Sequence, residues 1–254
     1  MTARTEKVFF SNSRGARLSG RIYSADGGEN RGVIFCHGLF STKDGYKITR
    51  MAESLVDAGF RVLAFDFSYA GESEGSIAEI SLIQCVRDIA GAAEFFRGRG
   101  VSEIHLMGSS MGAAAAILFC AGQKPSPVSL ISIAAPLDLT GLLTGNSPIS
   151  DPLDLPENGQ TLLEGFLINN SFFREIAAID MKAAVRAIDC PVLLIHGKLD
   201  TVVPFANALE FASALKTPFR ALYIEDGDHN LTRDRDIERL RTEVSGWIRG
   251  GYAC

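Results

Sequence analysis

"EIHLMGSSMGAAAA", residues 103–116, decides the fold of this chain. It opens as a short apolar strand and closes as a buried, alanine-rich helix, with only a Gly-Ser-Ser-Met-Gly turn between them. A chain that passes from strand to helix so quickly has to bend sharply. Gly108 and Gly112 suit the bend because a side chain at either position would collide across it, and the alanines at 113–116 let the helix pack closely under a sheet. The spacing G-x-S-x-G puts Ser110 at the apex, where a nucleophile elbow holds a strained serine with its oxygen exposed. The plainer reading is a serine turn that caps a helix. The strand before it and the helix after it favour the elbow.

Outward from this unit, strand and helix patterns alternate. "VIFC" (33–36), "RVLAFDF" (61–67), "VSLISIA" (128–134), "PVLLIHG" (191–197) and "ALYIE" (221–225) read as strands buried on both faces. Helical periodicity runs through 48–59, 83–98, 205–216 and 237–250. The alternation predicts βαβ units, hence an α/β fold with a mostly parallel sheet and helices on both faces. "EKVFFSNSRGARLSGRIYSA" (6–25) predicts an N-terminal β-hairpin at the sheet edge. From Pro136 to about Asp189 the rhythm stops: no strand is expected, Pro148, Pro152 and Pro156 interrupt the chain, and "TLLEGFLINNSFFREI" (161–176) is amphipathic to apolar. So long a connection predicts a small helical cap insertion, about 137–188, over a single domain spanning 1–254.

Composition excludes several classes. With 254 residues, 46% apolar and 22% charged, the chain can build a substantial core, and a net charge of −5 gives no footprint for nucleic acid. No stretch approaches a membrane span, and the N-terminal run "MTARTEKVFFSNSRG" has no apolar signal region, so no membrane partner and a cytoplasmic address are expected. The five cysteines, Cys36, Cys85, Cys120, Cys190 and Cys254, have no metal-type spacing and read as structural thiols. No metal and no organic cofactor are expected.

In open parallel sheets ligands sit beyond the carboxyl ends of the strands, so the residues after each strand matter most. A serine hydroxyl needs a base, and the base needs an orienting carboxylate. Of the four histidines, His105 lies within a strand, while His37 and His196 each end a strand in a His-Gly pair and read as turn-shaping. His229, in "EDGDHNLT" after the last strand, can reach back to Ser110. Asp200, in "LLIHGKLDTVVP" (193–204), is the leading carboxylate, with Asp138 its competitor; Asp226 and Asp228 belong to a turn and read as solvated. The order Ser110, Asp200, His229 is the order of the α/β-hydrolase fold. For the oxyanion, the N–H of Met111 is one donor, and "CHGLFSTKDG" (36–45) offers the second: Gly38 allows close approach and Leu39 supplies the N–H, with Phe40 as the fallback.

Taken together, "HGL", "DFSYAGESEG", "GSSMG", "HGKLDTVVP" and "GDHNL", in this order from about 32 to 231, resemble the α/β hydrolases. Within that superfamily they are similar to the serine esterase and serine aminopeptidase-like group, and to its feruloyl/cinnamoyl esterase-like branch. Ser109 and Ala113 stand where many relatives have histidine and glycine, and Ser68 and Tyr69 where Arg-Gly is frequent. The first pair is small and leaves the elbow pattern intact; the second bears on local packing. The resemblance implies a serine esterase that cleaves small to medium acyl or aryl esters through an acyl-enzyme on Ser110. A thioesterase or aminopeptidase-like hydrolase with the same triad is the alternative, and a non-catalytic binding protein on the same fold the third. The apolar stretch "FLINNSFF" (166–173) points to an uncharged acyl or aryl group.

Overall fold

The computed structural model describes residues 3–25, 30–144 and 151–250; Pro148 and Cys254 lie outside them. Eight strands form one sheet: β1 (Arg4–Ser11), β2 (Arg17–Ser24), β3 (Arg31–Cys36), β4 (Arg61–Phe65), β5 (Glu103–Ser109), β6 (Ser129–Ile133), and two later strands, Val192–Gly197 and Phe219–Ile224. Between β6 and the last two lies a separate pair, β7 (Gln160–Leu163) and β8 (Phe166–Asn169), so the later strands are β9 and β10. The sheet order is β1-β2-β4-β3-β5-β6-β9-β10, antiparallel only where β2 pairs with β1 and β4. The edge hairpin and the mostly parallel sheet match the sequence patterns.

The chain moves outward from β3 in both directions, to β4 on one side and β5 on the other. These neighbours open a crevice at their carboxyl ends, where Cys36 is paired with Gly108. Helices cover both faces. On one lie α1 (Tyr46–Asp57) and, from the C-terminal end, a helix over Asp234–Ile248. On the other lie α2 (Leu82–Gly98) and α3 (Met111–Gly122). Strand residues alternate between the two cores: Ile34, Leu63 and Leu106 face α2 and α3, whereas Val33, Val62 and Met107 face α1 and the last helix. Each large apolar side chain so buried contributes about 1.5–3 kcal/mol. Ala113 to Ala116 are fully buried, which brings α3 close to the sheet and fixes the elbow above it.

The segment between β6 and β9 departs from the expectation of a strand-free, helical insertion. It holds α4 (Leu139–Thr144), the β7–β8 hairpin, α5 (Asn170–Ala177) and α6 (Met181–Ala187). Glu164 and Gly165 both take positive φ, 48° and 86°, the two-residue turn that matches strand twist. This turn splits the apolar run 161–176 into a hairpin followed by one short helix. A turn that glycine makes possible thus interrupts an apolar run that would otherwise suit a helix. The remaining helices, α7 (Ala206–Ala214) and α8 (Asp234–Ile248), flank β10.

Candidate active site

Ser110 stands between β5 and α3 with φ 55° and ψ −124°, a conformation non-glycine residues rarely adopt and that costs about 1–3 kcal/mol. Its neighbours hold it there. The Ser110 N–H donates to the Ile133 carbonyl of β6 at 2.9 Å, and its carbonyl receives the N–H groups of Ala113 and Ala114. A Cβ on Gly108 would stand 2.6 Å from Ala113 Cα, and one on Gly112 would overlap the carbonyls of Cys36 and His37. Only glycine fits either place.

The loops after β5, β9 and β10 bring three side chains into one hydrogen-bonded chain. His229 Nε2 is 3.1 Å from Ser110 Oγ, and His229 Nδ1 is 2.8 Å from Asp200 Oδ2. An ionised carboxylate can only accept, so Nδ1 carries the proton and Nε2 presents its lone pair to the serine hydroxyl. Asp200 is buried, and its second oxygen accepts the N–H groups of Val202 and Val203 at 2.9 and 2.7 Å. Burial alone would raise its pKa. Hydrogen bonds from His196 and His229, the electrostatic pull of the His229 ring and the Val203 N–H outweigh burial, and the carboxyl is held well below the ordinary range. Asp138, the competing acid, instead caps α4 by accepting the Gly141 N–H at 2.7 Å. Asp226 pairs with Arg233 and Arg235 at the surface, and Asp228 accepts the Leu231 N–H.

The peptide joining Gly38 to Leu39 is oriented by its carbonyl, which accepts the His37 Nδ1–H at 2.8 Å and the Ser41 N–H at 3.2 Å. Because a trans peptide directs its C=O and N–H to opposite sides, the Leu39 N–H points away from those donors. Gly38 lies against Ser110, where an added Cβ would sit 3.3 Å from the serine Cβ. Phe40 follows with φ 57°, its ring stacked on Phe166 of β8 at 5.0 Å. Neither the Leu39 nor the Met111 N–H has an acceptor among the described residues. His37 is buried, and desolvation pushes its pKa down; its Nε2 accepts the Phe67 N–H. His105 is packed inside β5 beside Ser129, with its pKa lowered to about 4 by burial and by Arg31.

Several residues that position the site read in the sequence only as turn-shaping, packing or ordinary polar residues. His196 is fully buried and its Nε2–H reaches both the Val203 carbonyl at 2.9 Å and Asp200 Oδ2 at 3.3 Å, so it braces the acid and the turn that holds it. Lys43, in a loop that reads as an ordinary polar run, is buried with its Nζ on Asp66 at 2.8 Å and on Glu72 at 2.9 Å, tying the Leu39 loop to the turn after β4. In that turn Ser68 donates to Asp88 of α2, and Tyr69 packs its hydroxyl against Met111 Sδ. The departure from Arg-Gly is thus absorbed by local hydrogen bonds. Lys47, at the start of α1, donates to Ser109 Oγ at 2.9 Å, which puts a cation beside the elbow.

Two cavities meet at Ser110. The larger, about 430 Å³, is apolar and lies under the inserted segment, lined by Leu82, Leu139, Leu163, Phe172 and Ile176 among others. The smaller, about 200 Å³, is more polar and is lined by Tyr46, Lys47, Ser109, Asn230 and Thr232. Leu39, Ser110 and His229 border both. Among the described residues no cluster of three or more His, Cys, Asp or Glu side chains is placed to hold a metal ion, and no helix is long and apolar enough to cross a membrane.

This sheet, with its serine elbow at the crevice, is that of a hydrolase, and residues 33–243 match the alpha/beta hydrolase family; the chain belongs to that family. Among its relatives is the mitochondrial palmitoyl-protein thioesterase ABHD10 of Rattus norvegicus, 26% identical over 257 residues, covering 98% of this chain and 85% of that protein. In structure it is similar to Est1E from Butyrivibrio proteoclasticus with ferulic acid bound, at a TM-score of 0.85 and 19% identity over 95% of this chain and 98% of that one. The mouse ABHD10 structure superposes with a TM-score of 0.76 at 24% identity, covering 96% of this chain and 98% of that one.

Proposed function

We propose that the chain is a serine esterase, a single domain over 1–254 with residues 137–188 as its insertion, and that it cleaves carboxylic esters through an acyl-enzyme on Ser110. The observation that carries this reading is the continuous hydrogen-bonded chain from Ser110 through His229 to Asp200, on a serine held in a strained turn. Ser110 Oγ attacks the ester carbonyl carbon while its proton passes to His229 Nε2. The oxyanion that forms is met by the N–H groups of Leu39 and Met111, which are preorganised and unspent in the free protein. When the tetrahedral intermediate collapses, the C–O bond to the alcohol breaks and His229 returns the proton to the departing oxygen. Water then adds to the acyl-enzyme by the same steps in reverse, releasing the acid and restoring Ser110. Asp200 keeps the imidazole in the required tautomer and offsets the charge of the imidazolium.

The apolar cavity under the insertion suits the acyl or aryl portion of a small to medium ester. A second reading, a thioesterase with the same residues, is favoured by the likeness to ABHD10 along nearly the whole chain. Both readings use the same acyl-enzyme, and they differ only in the leaving atom.

The test is hydrolysis of p-nitrophenyl butyrate and of the matching butyryl thioester, with active-site labelling by a fluorophosphonate. The wild type is expected to turn over at least the oxygen ester and to label; Ser110→Ala is expected to do neither while keeping its circular dichroism spectrum. An active Ser110→Ala protein would overturn the mechanism, and strong preference for the thioester would move the assignment to the second reading.

A further inference from the structure

Among the described residues Lys47 is the one lysine that borders the cavities at Ser110. Five of the other six lysines, Lys7, Lys43, Lys124, Lys182 and Lys198, each meet a carboxylate. Lys47 Nζ instead makes a single hydrogen bond, to Ser109 Oγ at 2.9 Å, and among the described residues no carboxylate stands within ion-pairing distance of it. The group is expensive to keep there. Its surroundings desolvate it, which pulls its pKa down to about 8 although Asp228 and Asp200 act in the opposite sense. It also lies in the first turn of α1, the positive end of a twelve-residue helix, where a cation is disfavoured. That turn contains no acidic residue, and Gly45 gives it no side-chain cap. A negative charge delivered into the smaller cavity would pair with the ammonium and oppose the helix dipole together.

An ester bound at Ser110 has two arms, and two cavities of different polarity meet there. If the apolar cavity takes the acyl arm, as the esterase reading has it, the alcohol arm enters the cavity that Lys47 lines. We propose that Lys47 is a specificity-determining residue that binds a carboxylate on the leaving-group half of the substrate, so that the preferred substrates are esters of carboxylate-bearing alcohols or phenols. Ser109, small where relatives often carry histidine, leaves room for this ammonium beside the elbow. The inference rests on the esterase reading for the orientation of the two arms.

The experiment compares 3-carboxyphenyl butyrate with its neutral counterpart, 3-carbamoylphenyl butyrate, at about pH 7. For the wild type, kcat/KM is expected to favour the carboxylate about tenfold, with the difference in KM, as a charge-assisted contact gives. Lys47→Met is expected to bring that ratio to about one, and Lys47→Arg, which keeps the charge, to restore most of it. A wild-type ratio of one or less overturns the proposal, as does a tenfold ratio that survives in Lys47→Met. An equal loss on both esters with the ratio intact assigns Lys47 a structural role instead. Equilibrium binding of the two esters to Ser110→Ala protein separates the two readings. If that protein discriminates between them while the wild type hydrolyses neither, the esterase reading fails and the anion site stands. If the wild type hydrolyses both equally and Ser110→Ala binds both equally, the anion site fails alone.

Discussion

Replacing Asp200 by asparagine removes one charge and almost no volume, and the structure determines how the new amide must lie. Asp200 Oδ1 accepts two backbone N–H groups, from Val202 and Val203. Asparagine has one oxygen, and only that orientation avoids leaving two buried donors unpaired. Its NH2 is then forced onto the position of Oδ2, facing His229 Nδ1 at 2.8 Å. A donor at that place requires Nδ1 to accept, which moves the imidazole proton to Nε2, the atom that must take the proton of Ser110. The base is lost although every side chain stays in place. Substitutions of this kind in serine hydrolases lower kcat about 10⁴-fold, equivalent to about 5.4 kcal/mol of transition-state stabilisation. The same NH2 also faces the His196 Nε2–H, where Oδ2 now lies at 3.3 Å, so a stability loss of about 1–3 kcal/mol is expected as well. The assay is kcat for p-nitrophenyl butyrate, paired with thermal unfolding to show that the protein remains folded. Activity within about tenfold of wild type, or an equal loss in Asp138→Asn, would refute the assignment.

Asp200 also gives a pH signature in stability. Its folded pKa is depressed, so its contribution is present above the unfolded value of about 3.9 and is lost as pH falls through the lower folded value. The difference in Tm between wild type and Asp200→Asn should therefore shrink between about pH 6 and about pH 3; a difference that grows on acidification contradicts it. Gly112→Ala would drive a methyl group into the carbonyls of Cys36 and His37, and a stability loss of about 3 kcal/mol or more, read as a lower Tm or as insoluble protein, is expected. An unchanged Tm would show that the elbow has slack the geometry denies.

Much of this protein was determined by sequence alone. Apolar runs alternating with helical periods decide the class, because a strand buried on both faces and a helix buried on one leave different spacings. The elbow is equally local: Gly108, Ser110 and Gly112 are close in sequence, and the turn they make follows from which residues have a side chain. The expected candidates Ser110, Asp200 and His229 are placed beside one another because each directly follows a strand whose carboxyl end opens on the same crevice. Where the pattern failed, in the run 161–176, a two-residue turn at Glu164 and Gly165 overrode an apolar period that fits a helix equally well.

What only the tertiary structure decided depends on contacts far apart in the chain. In sequence Asp200 leads and Asp138 competes, each an acid after a strand; in the structure His229, from the loop after β10, meets Asp200, while Asp138 accepts the Gly141 N–H. Lys43 and Lys47 look alike in one polar stretch. One is buried on Asp66, while the other stands beside Ser109 and meets no carboxylate among the described residues. The charge of a side chain is written in the sequence, but whether that charge is paired depends on which distant loops fold against it.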